Sequence, residues 1–205
     1  MWIARRIALG LMLIGTLGLG LACSDEDNPD ERTEDTLDAL RIRADAPPLE
    51  VTDTSFYAVR GQDREARIYF TDGAGGRGTL FVLLRVPGNS LVARPDGTPV
   101  AEGDSVLITV RAIDPTRVIA DIQPNGLQFD PAAPAQLLLH YDEVDPDFDG
   151  DGDVDAADTA IEEQLTIWRQ EDPGELFVRL PSVVNAALKG VQTSLSGFSR
   201  YAISY

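Results

Sequence analysis

The chain carries the stretch T-L-F-V-L-L-R-V at Thr79 to Val86 and the stretch S-V-L-I-T-V-R-A at Ser105 to Ala112. Both are short apolar runs that contain β-branched residues, and turn signals such as P-G-N-S and P-D-G-T lie between them. Apolar runs of this length with turn residues at their ends are typical of β-strands. These two stretches therefore predict a domain built from short strands.

Seven further stretches show a similar pattern between turn signals. They are residues 55–59, 64–70, 117–122, 136–141, 176–180, 191–195 and 198–205. Many short strands with few helical patterns favour a β-sandwich or a β-barrel. We expect a mainly β fold, a β-sandwich, over residues 49–205, with short helices after Asp158 and over residues 183–188.

The acidic stretch D-F-D-G-D-G-D-V-D-A-A-D, Asp147 to Asp158, is the strongest chemical signal in the chain. Its aspartates occupy positions one, three, five, seven, nine and twelve, and Gly152 occupies position six. This is the spacing of an EF-hand calcium loop, in which alternate residues point toward the ion and glycine makes a sharp turn. The predicted Ca²⁺ ligands are Asp147, Asp149, Asp151, Asp153, Asp155 and Asp158.

The expected mode of ligation differs along this loop. Position seven contributes a backbone carbonyl, so Asp153 would ligate through its main chain, and position nine, Asp155, often acts through water. Asp158 stands where glutamate is expected, which leaves affinity and selectivity for Ca²⁺ over Mg²⁺ open. Without a cation, carboxylates about 5 Å apart would repel by about 3 kcal/mol per pair at an effective dielectric near 20. The alternative to an ion site is a solvated acidic linker.

The loop also resembles one repeat of a dockerin, whose calcium loops carry aspartate at position twelve, as here. The resemblance implies side-chain or main-chain ligands at Asp147, Asp149, Asp151, Asp153 and Asp158. Dockerins use two such repeats to bind a cohesin, and this chain shows a single one. We therefore expect an insertion at residues 145–165 that pins a connection within the β-sandwich and is followed by a short helix.

A second resemblance concerns the β-sandwich itself. The spacing of P-N-G-L-Q-F from Pro124, Q-L-L-L-H-Y from Gln136 and the closing F-S-R-Y-A-I from Phe198 is similar to the domain shared by zonula occludens proteins, netrin receptors and ankyrins. It covers residues 86–205 and rests on scattered aromatic residues and glycines. In that family the domain generally serves protein–protein contact, so the resemblance implies an interaction module.

The N-terminal residues 1–22 are interpreted as a secretion signal. Arg5 and Arg6 precede an apolar run from Ile7 to Leu21, which is short for a membrane-spanning helix. The run ends in L-G-L-A-C, which resembles a bacterial lipoprotein lipobox with Cys23 as the lipidated residue. Ser24 rather than aspartate follows, which favours the outer membrane. An ordinary signal peptide with an incidental cysteine is the alternative.

Residues 23–48 are predicted to form an acidic, flexible tether with a mean span on the order of 25–30 Å, because they offer little apolar surface to bury. The whole chain has a formal net charge of −17, and loss of Arg5 and Arg6 makes it more negative by two. Nucleic acid and anionic lipid need clustered Lys and Arg, so neither is an expected partner. The expected partners are the membrane, through Cys23, and an envelope protein.

Several other motifs are assigned no catalytic or nucleotide-binding role. G-A-G-G-R-G at 73–78 has the residue spacing of a dinucleotide-binding fingerprint, but a strand is predicted to follow it, whereas the fingerprint requires a helix. His140 is the single histidine and is expected to be a surface or hydrogen-bonded residue of a strand. Glu162 and Glu163 are adjacent, so on a helix they diverge and make a poor acid–base pair.

These features favour a non-enzymatic, lipid-anchored envelope protein that binds calcium and acts in protein contact or envelope architecture. Two alternatives stay open at this point. A carbohydrate-binding β-sandwich would use Trp168 and neighbouring tyrosines to meet a glycan, with a structural calcium. A hydrolase would require an acid–base or nucleophile–base pair, and none stands out in the sequence.

Overall fold

Strands at the predicted positions pair into antiparallel sheets in the computed structural model, which describes residues 28–205. The strands are β1 (Glu31–Arg32), β2 (Asp53–Val59), β3 (Arg64–Thr71), β4 (Arg77–Val86), β5 (Leu91–Ala93), β6 (Ser105–Ala112), β7 (Ile119–Gln123), β8 (Gln128–Phe129), β9 (Ala135–His140), β10 (Thr166–Gln170), β11 (Phe177–Leu180), β12 (Ser182–Asn185), β13 (Gly190–Leu195) and β14 (Arg200–Ser204). One α-helix, α1 (Ala156–Glu162), and one 3₁₀ turn (Ala186–Leu188) complete the described elements.

The strands form a β-sandwich, which confirms the predicted fold class. A seven-stranded sheet has the order β1-β11-β10-β14-β7-β6-β2, and a five-stranded sheet has the order β12-β13-β9-β4-β3. Strands β5 and β8 form a separate two-stranded ribbon. Because consecutive strands cross between the two sheets, residues distant in sequence meet in one core.

The main core lies between the two sheets and follows the period of two in the strands. In β9, Ala135, Leu137 and Leu139 are buried while the residues between them are half-buried. Alternate side chains of a strand point to opposite faces, so this pattern directs one face of each sheet inward. Tyr201 and Phe198, both fully buried, fill the same core from the C-terminal strand region.

A second, smaller apolar cluster lies apart from the main core and involves the N-terminal residues. Trp168 and Phe177 pack there with Ile119 and Ala202, and Leu37 and Ala39 cover them. We call residues 30–48 the N-terminal strap.

The N-terminal strap is fastened to the domain by hydrogen bonds. The Leu40 N–H donates to the Ile203 carbonyl at 2.9 Å, and the Ser204 hydroxyl donates to the Asp38 carbonyl at 2.7 Å. The flexible tether predicted over residues 23–48 is therefore wrong for its described part. The segment is mostly acidic, but its few apolar residues, such as Leu37, Ala39 and Leu40, bury enough surface to dock it on the domain.

Residues 1–22 and Cys23, for which a signal peptide and lipidation are predicted, lie outside the described residues. Within the described part, the helix predicted over 183–188 is instead strand β12 followed by the 3₁₀ turn. The loop at 73–78 lies in the β3–β4 hairpin, where Thr71 pairs with Arg77, so strand follows it as predicted. The helix predicted after Asp158 is confirmed as α1, which begins slightly earlier.

Candidate metal centre

The acidic loop lies in the connection that leaves β9 and returns through α1 to β10. Strand β9 belongs to the five-stranded sheet and β10 to the seven-stranded sheet, so the loop spans the end of the sandwich. This is the predicted insertion between two strands. Its position joins the two sheets through one short segment.

Three of the predicted ligands converge in this loop. One carboxylate oxygen each from Asp147, Asp149 and Asp151 lies within 4.8 Å of the other two. Carboxylate oxygens are the donors that Ca²⁺, Mg²⁺ and Mn²⁺ prefer. The three residues could therefore bind a metal ion.

Glycines and backbone N–H groups bend the loop around Asp147. Gly150 and Gly152 have φ of 74° and 99°, a left-handed conformation that favours glycine. Their N–H groups donate to Asp147 Oδ1 at 2.8 Å and to Asp147 Oδ2 at 3.0 Å. The glycine at loop position six thus makes the turn that the sequence pattern predicts and orients the first carboxylate.

The charges within the loop act on Asp149. The N–H of Asp151 lowers the pKa of Asp149, but partial desolvation and the negative charges of Asp151, Asp158 and Asp147 outweigh that effect and raise it overall. A raised carboxyl pKa means that the folded loop disfavours the ionised form of this residue. A bound cation would reverse this effect, because it would offset the repulsion between the carboxylates.

The carboxylate of Asp158 makes contacts with the backbone rather than with the three-carboxylate group. It is 3% exposed and accepts N–H groups from Phe148 at 2.5 Å, Asp149 at 3.3 Å and Asp155 at 2.8 Å. The Asp155 N–H is the largest cause of the lowered pKa of Asp158, and the N–H groups of Phe148 and Asp149 add to it. Asp158 thereby ties the start of the loop to the start of α1.

Asp155 caps the helix that ends the loop. Its carboxylate accepts the Ala157 N–H at 2.6 Å, and together with Asp158 it forms a capping box at the N-terminus of α1. The side chains of Asp153, Asp155 and Asp158 are not part of the three-carboxylate group. The structure thus brings together three of the six predicted ligands by their side chains and gives Asp155 and Asp158 structural contacts.

A polar group that the sequence reasoning missed supports the loop from the side. Glu162, at the end of α1, accepts the Tyr141 hydroxyl at 2.9 Å and the Lys189 ammonium at 2.6 Å. Burial, and then the hydrogen bond to Glu162, raise the pKa of Tyr141, so its hydroxyl stays protonated and donates. The Tyr141 ring also packs edge-on against Phe148 within the loop, with ring centroids 6.5 Å apart. No sequence spacing signals this group, because its members come from three separate elements.

The loop also contacts the N-terminal strap and the C-terminal residue. The Tyr205 hydroxyl lies 3.2 Å from both the Asp38 Oδ2 atom and the Phe148 carbonyl oxygen, and it can donate to either. The Asp145 N–H donates to the Arg41 carbonyl at 3.1 Å. A cavity of about 270 Å³ lies between these segments and is bordered by Asp147 and Asp149. A change in the conformation of the loop would therefore alter contacts with both the N-terminal strap and Tyr205.

The remaining candidate residues have structural surroundings. His140 Nδ1 lies 3.2 Å from Asp142 Oδ2, which matches the expected hydrogen-bonded strand histidine. Trp168 is 1% exposed beneath Leu37 and Ala39, so it offers no surface on which a sugar could stack. The carbohydrate-binding alternative thereby loses its tryptophan as a stacking surface.

No known protein family, no curated protein and no solved structure matches this chain. Among residues 28–205, no helix has the length and apolar character needed to cross a membrane.

Proposed function

We propose that this protein is a non-enzymatic, lipid-anchored envelope protein whose β-sandwich binds one calcium ion in the loop from Asp147 to Asp158. The observation that carries the proposal is the convergence of the Asp147, Asp149 and Asp151 carboxylates to within 4.8 Å. The donor set contains only oxygen and the loop is glycine-rich and curved, which suits a hard cation.

Calcium is the ion that we infer for this loop. Ca²⁺ accepts six to eight oxygen ligands in flexible geometry, whereas Mg²⁺ demands a near-ideal octahedron and retains its water. Asp147, Asp149 and Asp151 would bind through carboxylates and Asp153 through its carbonyl. A loop of this kind on an extracellular module has a Kd on the order of 10⁻⁴–10⁻³ M. The ion would supply positive charge and hold the loop in one conformation.

The role of the ion in this proposal is structural. Phe148 of the loop contacts Tyr141, the residue after β9, through its ring, Asp158 of α1 through its N–H, and Tyr205 through its carbonyl. The Tyr205 hydroxyl also lies 3.2 Å from Asp38 of the N-terminal strap. An ion that fixes the loop therefore fixes the connections between both sheets and the strap. Protein contact on the envelope surface is the inferred task, supported by the resemblance to the domain of zonula occludens proteins, netrin receptors and ankyrins.

Thermal unfolding of residues 24–205 in calcium and in chelator tests the ion. A ligand that binds only the folded state stabilises it by RT ln(1 + [L]/Kd), about 2.7 kcal/mol at a hundred times Kd. We expect this gain for the natural sequence with Ca²⁺ and a smaller gain with Mg²⁺. Equal unfolding temperatures in calcium and chelator would remove the ion from the proposal. Capture of partners from envelope membranes, with and without chelator, tests the contact role separately.

A further inference from the structure

The docked N-terminal strap shortens the distance between the proposed lipid anchor and the folded domain. Cys23 lies five residues before Asn28, the first described residue, and β1 begins at Glu31. Five residues span at most about 18 Å even when fully extended. If Cys23 is acylated, as the proposed function requires, Asn28 therefore lies within about 18 Å of the lipid to which Cys23 is attached, and β1 begins three residues further on.

The surface next to β1 carries several exposed apolar side chains. Leu176 is 43% exposed, Val178 is 44% exposed and Val183 is 71% exposed. Val178 pairs directly with Glu31 across β11 and β1. Val183 borders the same groove as Asp30, which adjoins β1. Each of the three apolar side chains thus lies near β1 or near Asp30, where the described chain enters the domain, and we call this region the anchor-side surface.

We propose that the anchor-side surface rests on the lipid bilayer that holds Cys23. The short link brings this surface to the membrane, and its exposed valines and leucine can enter the boundary between headgroups and acyl chains. The protein would then stand on the membrane in a fixed orientation, instead of moving freely on a long tether. The opposite edge of the seven-stranded sheet, β2, would face away from the lipid.

Charge defines the kind of membrane that fits this surface. Residues 25–31 contain five acidic side chains and no basic one, and Arg179 near them is paired with Asp30 at 3.8 Å. An anionic bilayer would repel this segment within a Debye length of about 10 Å at moderate salt. The proposed partner is therefore a zwitterionic lipid surface, and the contact should weaken on anionic lipid at low salt.

The chain offers a matched pair of probe positions. Val183 lies on β12, an edge strand of the five-stranded sheet, beside the groove that Asp30 borders. Tyr57, which is 61% exposed, lies on β2, the edge of the seven-stranded sheet opposite to β1. Six strand spacings of about 4.8 Å separate β1 from β2, about 29 Å in all. Cys23 is the single cysteine, so acylated Val183→Cys and Tyr57→Cys variants each carry one free thiol.

The test uses the acylated full-length mature protein in zwitterionic nanodiscs with nitroxide-labelled lipids and a bimane probe on the free thiol. We expect several-fold stronger quenching at position 183 than at position 57, and a decrease on anionic nanodiscs at low salt. Equal and weak quenching at both positions of an acylated protein would overturn this proposal while leaving the lipid anchor intact.

The anchor itself is checked in the same preparations. The intact mass and the release of a Cys23→Ala variant from membranes show whether Cys23 carries acyl chains. A protein without acyl chains would overturn both the lipid anchor of the proposed function and the proposal that the anchor-side surface rests on the bilayer. The calcium site is tested separately and would not be affected.

Discussion

The carboxylate of Asp158 accepts N–H groups from both ends of the acidic loop, Phe148 at its start and Asp155 at the N-terminus of α1. Such hydrogen bonds favour the ionised form, which is why the pKa of Asp158 lies below its usual value. This residue was predicted as the last ion ligand. Its observed contacts show that it organises the loop through backbone N–H groups.

An Asp158→Asn variant should lose stability in a pH-dependent way. Because the folded-state pKa is lowered, the ionised carboxylate stabilises the fold above its unfolded pKa of about 3.9, and this contribution is lost as the pH falls through the lower folded value. In calcium-free urea unfolding, we expect the variant to be less stable than the natural protein at pH 7 and the gap to narrow toward pH 3. A gap of the same size at both values would argue against the charge of Asp158 as the cause.

Side chains within the loop should differ in their importance for calcium. Asp151→Ala removes one of the three converging carboxylates, so the stabilisation by calcium should fall from about 2.7 kcal/mol at a hundred times Kd to near zero. Asp153→Ala is the matched control, because its predicted ligand is the main-chain carbonyl. Thermal unfolding with and without calcium measures both. Equal losses in the two variants would indicate a general charge effect in place of defined ligands.

Strands that bury one face could be predicted from the sequence, whereas strand β10, which is buried on both faces, could not. Strand β6 alternates in burial, with Val106, Ile108 and Val110 inward, and its short apolar run between turn signals predicted a strand even though exposed Leu107 interrupts the alternation in the sequence. Strand β10 was missed because Ile167 faces the main core and Trp168 faces the cluster under the strap, so both of its faces are buried. A strand covered on both faces carries no period-two signal.

The N-terminal strap was mispredicted for a related reason. Its acidic residues dominate the composition, while the few apolar side chains that dock it depend on a site presented by the far end of the chain, at Ala202 and Ser204. Composition measures how much a segment can bury by itself. It does not reveal the apolar contacts and hydrogen bonds that residues distant in sequence, such as Ala202 and Ser204, make with that segment.

Truncation of a strap residue should loosen the strap and expose the tryptophan beneath it. Leu37 is 6% exposed and packs in the cluster of Trp168, so Leu37→Ala should destabilise the protein by about 2 kcal/mol. Trp168 is the sole tryptophan outside the predicted signal, so its emission should shift to longer wavelength. Leu188→Ala, at a site that is 64% exposed, is the control and should change stability by less than about 0.5 kcal/mol. An unchanged emission in Leu37→Ala would contradict a docked strap.

The polar group beside the loop can be tested with a single hydroxyl. Tyr141→Phe removes the hydrogen bond to Glu162 but leaves the Lys189–Glu162 ion pair, so the free energy of unfolding should fall by about 1 kcal/mol. Tyr57→Phe, on an exposed edge strand, should have little effect. Urea unfolding of the two variants measures the difference. Indistinguishable values would show that Glu162 needs no donor from Tyr141.

At the scale of the whole molecule, the sequence was enough to predict the fold class and the location of the acidic site, but not how the site is held. Loop spacing predicted that Asp147, Asp149 and Asp151 converge, because glycine turns and alternation are local properties. The contacts of the loop with Tyr141, Glu162 and Tyr205 come from elements that only the folded sandwich brings together. The highly acidic chain fits an environment in which divalent cations offset local repulsion.

Isothermal titration of residues 24–205 with calcium tests the central claim most directly. We expect one site per chain with a Kd on the order of 10⁻⁴–10⁻³ M, weaker binding of magnesium, and loss of the binding heat in a combined Asp147→Ala and Asp151→Ala variant that remains folded in chelator. Absence of calcium binding to the folded natural sequence, or binding that the combined variant retains unchanged, would contradict it.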